Sequence, residues 1–182
     1  MKRTVFDIAF VVGLVFSLYI GATAERQTVL ILGDSVGLQL LLKHPDIMDG
    51  YRRDYRVVNA VKIGASAADL LEESKGIEAQ PDTILLFCGA VDGKMLQYSI
   101  EETNRAIADI ADRFPGAMIV WMNTAEFPRS WTTDSVHPTQ VGFRNIFQRV
   151  NPIVWSNGEQ IPERPEWLSV IRPDAEYLTN KT

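Results

Sequence analysis

One cysteine and two histidines in 182 residues narrow the chemistry open to this chain. Cys88 has no partner for an intramolecular disulfide and sits inside the apolar run TILLFCG, which reads as buried core. His44 and His137 are widely separated, so the common zinc-ligand spacings are missing and no metal or other cofactor is expected. Positive charge is scarce too: 18 Lys and Arg against 23 Asp and Glu leave a formal net charge of −5. That balance lacks the clustered cations that follow a phosphate backbone, and no nucleic-acid partner is expected. Internal repeats and low-complexity tracts are also lacking, and the length suits one globular domain with a sizeable core.

The long apolar run of the chain stands at its start. Lys2 and Arg3 precede an apolar stretch from Ile8 to Ile20, interrupted by Gly13 and Ser17, and Ala22-Thr23-Ala24 follows. This order predicts a secretory signal peptide over residues 1–24, cleaved after Ala24, and hence a secreted or periplasmic chain with no stable membrane insertion. Asp7 is untypical of such peptides. An uncleaved N-terminal membrane anchor is the alternative, although the run is short for a full span.

Beyond it, TVLIL (28 to 32), RVVNAV (56 to 61), TILLFCG (83 to 89) and AMIVWMN (117 to 123) are short runs rich in Val, Ile and Leu. They scarcely alternate, which suits parallel strands buried on both faces. Helical stretches separate them. The clearest starts at Ser99, with Glu102 at capping-box spacing and an apolar stripe of Ala106, Ile107, Ile110, Ala111 and Phe114, and Pro115-Gly116 ends it. Shorter helices are predicted after Ser35, Ser66 and Thr139. The alternation predicts an α/β fold, a small doubly wound parallel sheet over residues 25–150. From Asn151 the chain turns non-periodic, with four prolines and two tryptophans. Residues 151–182 therefore read as an extension that wraps the surface or is partly mobile.

Open parallel sheets bind ligands beyond the carboxyl ends of their strands. Those ends carry Gly33-Asp34-Ser35, Gly64, Gly89-Ala90-Val91-Asp92 and, past the fourth strand, Asp134-Ser135-Val136-His137-Pro138. A serine hydroxyl becomes nucleophilic only with a base, a group that orients the base, and donors for the oxyanion that forms. His44 lies nine residues after Ser35, roughly 13 Å away along a helix at 1.5 Å per residue, too far to serve. His137 has Asp134 close before it, so the two can reach the site from one loop, with Asp134 fixing the imidazole tautomer. Ser35 at a helix N-terminus gains a favourable field and offers its backbone N–H to an oxyanion, and Gly64 offers a second.

In that order, LGDSVG, VVNAVKIGAS, PDTILLFCGAVD and DSVHPTQVGF resemble the sequence blocks of the SGNH (GDSL-type) hydrolase family, over roughly residues 28 to 150. The resemblance implies a flavodoxin-like α/β/α sandwich. It also implies a serine esterase or acyl hydrolase acting on small acyl esters, lipids or acylated carbohydrates. One block departs from the pattern. The family's third block reads Gly-x-Asn-Asp, its asparagine donating to the oxyanion, and here that position holds Val91. Asn123 and Lys94 are candidate replacements by location.

Each motif also has a plainer reading. Ser35 alone can be a helix cap, Gly64 an ordinary loop glycine, and Asp134 with His137 a loop pair ahead of a Thr139 cap. Gly33-Asp34-Ser35-Val36-Gly37 also fits the nucleophile elbow of α/β-hydrolases, but that elbow follows several strands and this one follows the first. A flavodoxin-like electron carrier lacks support, because the first loop is no phosphate cradle. The expected function is an exported serine esterase acting on an O-acetyl glycan or a short-chain acyl ester. An O-acyltransferase, or a glycan- or acyl-binding module with turnover weakened at Val91, is the alternative.

Overall fold

The computed structural model describes residues 26–149, 153–156 and 159–161; the expected signal peptide lies outside them. Among the described residues, no helix is long and apolar enough to cross a membrane.

Four parallel strands form the centre: β1 (Thr28–Gly33), β2 (Arg56–Val61), β3 (Thr83–Cys88) and β4 (Met118–Asn123). All four lie where the apolar runs predict them. The sheet order is β2-β1-β3-β4, continued by β5 (Ile153–Ser156) and β6 (Glu159–Ile161), both antiparallel to their neighbours. These two strands fall in the C-terminal stretch read as an extension, so the sheet continues past residue 150. Their run is only four apolar-to-polar residues long behind Pro152, too brief to show a period. The signal that sequence offered was Asn157-Gly158 between them, the dipeptide that favours two-residue hairpins. The rest of that stretch lies outside the described residues.

Helices cover both faces: α1 (Ser35–Lys43), α2 (Pro45–Asp54), α3 (Ala67–Ser74), α4 (Ile100–Arg113) and α5 (Gln140–Arg149). Because strand side chains alternate, each strand contributes to two cores. Val29, Ile31, Leu85, Phe87, Val120 and Met122 pack under α1, α2 and α5. Leu30, Leu32, Ile84, Leu86, Cys88 and Trp121 pack under α3 and α4. β1 is buried along its whole length, whereas β2, at the sheet edge, is only partly covered. Cys88 is fully buried, and burial pushes its thiol pKa well up.

The capping box expected at Ser99–Glu102 forms, and a second one, Ser66 with Asp69, opens α3. One helix differs from expectation. His44 does not continue the helix that begins at Ser35; it ends α1, and Pro45 opens α2. Proline at the first helical position is favourable, since the N–H it lacks has no partner there. His44 is buried, its ring 4.4 Å from that of Phe143, and takes no part in the cluster at Ser35.

This strand order places the reversal between β1 and β3. Chain direction runs from β1 outward to β2 on one side and then across to β3 and β4 on the other. The carboxyl ends of β1 and β3 are therefore the place where sheets of this order hold ligands.

Candidate active site

β1 ends at Gly33, where a Cβ would stand 2.9 Å from that of Phe87, so no larger residue fits this packed exit. Asp34 is the N-cap of α1, its Oδ1 accepting the Val36 N–H at 2.8 Å. Ser35 is thus the first helical residue and not the cap, which leaves its hydroxyl unengaged by the helix. Instead Ser35 Oγ lies 2.8 Å from His137 Nε2, across 102 residues of sequence.

His137 is delivered by a self-bonded loop. Thr132 bridges Pro138, and the His137 carbonyl accepts the Thr133 N–H at 2.8 Å. Asp134 Oδ1 accepts the N–H groups of Val136 at 3.1 Å and His137 at 2.8 Å. Its other oxygen faces His137 Nδ1 at 2.5 Å. The backbone N–H and ring of His137 together hold the Asp134 carboxyl down at about 2, below its ordinary 3.8. Ser135 takes the left-handed backbone, φ 71°, that closes the turn. Thr139 caps α5, accepting the Gly142 N–H at 3.0 Å. The three residues predicted from sequence therefore meet as a Ser-His-Asp chain at the surface, with His137 partly exposed.

Gly64 lies in the exposed turn after β2 with φ +71°, a backbone that favours glycine. Among the described residues, no group accepts the N–H of Ser35 or of Gly64. Val91 opens a π-helical turn, Val91–Leu96. Of the two replacements considered for its missing amide, Asn123 is already committed: its Oδ1 accepts the Ala125 N–H at 3.1 Å and its Nδ2 donates to Glu126 at 3.0 Å. The carboxamide also fills the space beside Gly89, where a Cβ would come 2.2 Å from its Oδ1. Lys94 donates to the Ser135 carbonyl at 2.6 Å, tying the π-turn to the loop of His137. Among the described residues, no three His, Cys, Asp or Glu side chains are grouped to hold a metal ion.

Sequence reasoning missed a buried network beneath the serine. The Ala90 N–H donates to Thr124 Oγ1 at 2.9 Å, and that hydroxyl donates to Asp34 Oδ2 at 3.2 Å. Asp34 and Thr124 are 90 residues apart, and no linear spacing announces the contact. Burial drives the Asp34 carboxyl up from 3.8 to about 6, against the opposing pull of the Val36 N–H, the Thr124 hydroxyl, the Gly37 N–H and the His137 charge. A raised carboxyl pKa favours the protonated fold. Its contribution is complete below 3.8 and is lost as pH rises through about 6. The loss amounts to about 3 kcal/mol for a shift of this size. Asp134 has the opposite sign but acts below pH 4. Asp34→Asn is therefore expected to gain stability relative to the parent between pH 4 and 8, as read by urea unfolding at both pH values. A stability difference that does not change with pH contradicts the assignment.

No family model and no curated protein matches the sequence. Solved structures match the fold. A GDSL-like lipase from Bacteroides thetaiotaomicron superposes with a TM-score of 0.53 at 16% identity, covering 71% of this chain and 90% of that one. A putative acylhydrolase from Bacteroides fragilis gives 0.53 at 14% identity, covering 67% and 83%. The chain has the α/β fold of SGNH (GDSL-type) hydrolases.

Proposed function

We propose that this chain is an exported serine hydrolase of SGNH type that cleaves a carboxylester. One observation carries the reading: Ser35 Oγ, both His137 ring nitrogens and the Asp134 carboxylate form a continuous hydrogen-bonded chain at the sheet's switch point. Ser35 Oγ attacks the ester carbonyl carbon while its proton passes to His137 Nε2. Asp134 holds the ring and stabilises the imidazolium. The N–H groups of Ser35 and Gly64 receive the oxyanion. Collapse expels the alcohol, which takes the proton from His137, and water then releases the acid from the acyl-serine by the same route. The proposed substrates are an O-acetyl glycan or another small acyl ester, and export rests on residues 1–24. Transfer of the acyl group to a sugar hydroxyl uses the same steps with that hydroxyl in place of water. Val91 favours a second reading, a glycan- or acyl-binding module with weakened turnover, because a valine side chain has no donor for an oxyanion.

A fluorophosphonate tests the proposal. Ser35 Oγ displaces fluoride at phosphorus, and mass spectrometry of the digested chain is expected to find one phosphonyl group, on Ser35, that His137→Ala largely prevents. A folded chain that takes no label, or takes it elsewhere, refutes the mechanism.

A further inference from the structure

α1 carries Ser35 at its first position, and Gln39 and Lys43 follow it one and two turns on, about 6 and 12 Å along the axis. Where that end of α1 meets the start of α5 and the loop that carries His137, there is a cavity of about 310 Å³. Gln39, Lys43 and His44 line it, together with Thr133, Thr139 and Gln140; Ser35, Asp134 and His137 do not. Small-molecule sites start at about 300 Å³, so this volume suits a molecule the size of a single sugar ring.

The charge of the lining is one-sided. The chain has 23 Asp and Glu, yet none lines the cavity, and Lys43, which does, pairs with no carboxylate among the described residues. Asp46, the first acid after His44, is taken up by Arg144 at 3.6 Å. Gln140 opens α5, so the positive end of that helix dipole lies at the cavity too. Thr139 Oγ1 accepts the Gly142 N–H, which leaves its own hydrogen to donate. His44 supplies an independent sign. It is 4% exposed, and its Nδ1 is buried without a hydrogen-bond partner. Buried polar atoms are nearly always paired, so an orphan in the lining of a cavity points to a missing ligand.

We propose that this cavity is a second ligand site, apart from the Ser-His-Asp chain, for a small polyhydroxy anion of monosaccharide size: a sugar carboxylate or a sugar phosphate. Lys43, the Thr139 hydroxyl and the first turn of α5 receive the anionic group. The Gln39 and Gln140 amides, each both donor and acceptor, receive the hydroxyls of the ring. The site stands whether or not Ser35 turns over an ester.

The test is calorimetric titration of the purified chain with glucuronate, glucose 6-phosphate and glucose. At least one of the two anions is expected to bind with a Kd of about 1 mM or tighter, and the tighter of them tells carboxylate from phosphate. Glucose, which has no charge to offer, is expected to bind about tenfold more weakly or worse. Lys43→Gln, at an exposed position, is expected to weaken the anion about tenfold, and Lys75→Gln, a cation held by Glu72 elsewhere, to leave it unchanged. Gln140→Glu puts a carboxylate where the start of a helix favours one, so the chain is expected to stay as stable while binding is lost. Ser35→Ala is expected to bind as the parent does. No binding of either anion, glucose bound as tightly, or equal effects of Lys43→Gln and Lys75→Gln overturns the site, and so does undiminished binding by Gln140→Glu. Binding lost in Ser35→Ala places the ligand at the serine and overturns it as well.

Discussion

His137→Ala is expected to lower ester turnover as far as Ser35→Ala does, by at least about 10⁴-fold, and the double variant to fall no further. The reason is geometric. Ser35 Oγ lies 2.8 Å from His137 Nε2, its proposed base, and His44, the other histidine, is buried between α1 and α2 against Phe143. Without the imidazole the hydroxyl keeps its proton, and without the hydroxyl the imidazole has nothing to activate. Residues that act as one unit do not add. Asp134→Asn is expected to cost less than either, since it alters the ring's tautomer and charge while leaving both reacting groups in place. Steady-state rates of the four variants on one chromogenic ester check this. A double variant whose loss equals the product of the single losses contradicts a shared mechanism.

Val91→Asn is the second large effect, and it is a gain. The oxyanion donors proposed here are two backbone N–H groups, and a third, side-chain donor in such a hole is typically worth about 10² to 10³ in turnover, some 3 to 4 kcal/mol. Val91 stands at the first position of the π-turn after β3 and is only partly buried, so an amide there displaces no core packing. Asn123 is not free to substitute, because capping occupies its carboxamide. Val91→Asn is therefore expected to raise kcat by one to two orders of magnitude or more, with KM little changed, since an oxyanion forms only in the transition state. An equally stable variant with unchanged kcat shows that another group already fills the hole.

Much of this architecture was legible because its signals are local. The four parallel strands announce themselves as apolar runs without alternation, and the capping-box spacing at Ser99 marks a helix start. Asp134 and His137 are three residues apart, so one loop declares both. The less legible parts depend on contacts between distant residues or on weak local periods. α2 contains Gly50 and buries only Ile47, Met48 and Tyr51, so its apolar stripe is thin beside the Pro45 start signal. β5 and β6 are short, and their pairing partners are set by β4. The buried route from Ala90 through Thr124 to Asp34 joins three strand ends, and it explains why Asp34, next to the serine, matters to folding as well as to capping. Of the two readings open for Ser35, the helix cap is not the one realised: Asp34 takes that role, and the serine hydroxyl is left for His137.

The proposed chemistry turns on Ser35 being an activated nucleophile. The most direct measurement is hydrolysis of a short-chain chromogenic ester by residues 25–182 beside the Ser35→Ala form. Turnover by the parent that vanishes in Ser35→Ala is the expected result. Equal turnover by both, or none in a well-folded parent, contradicts it.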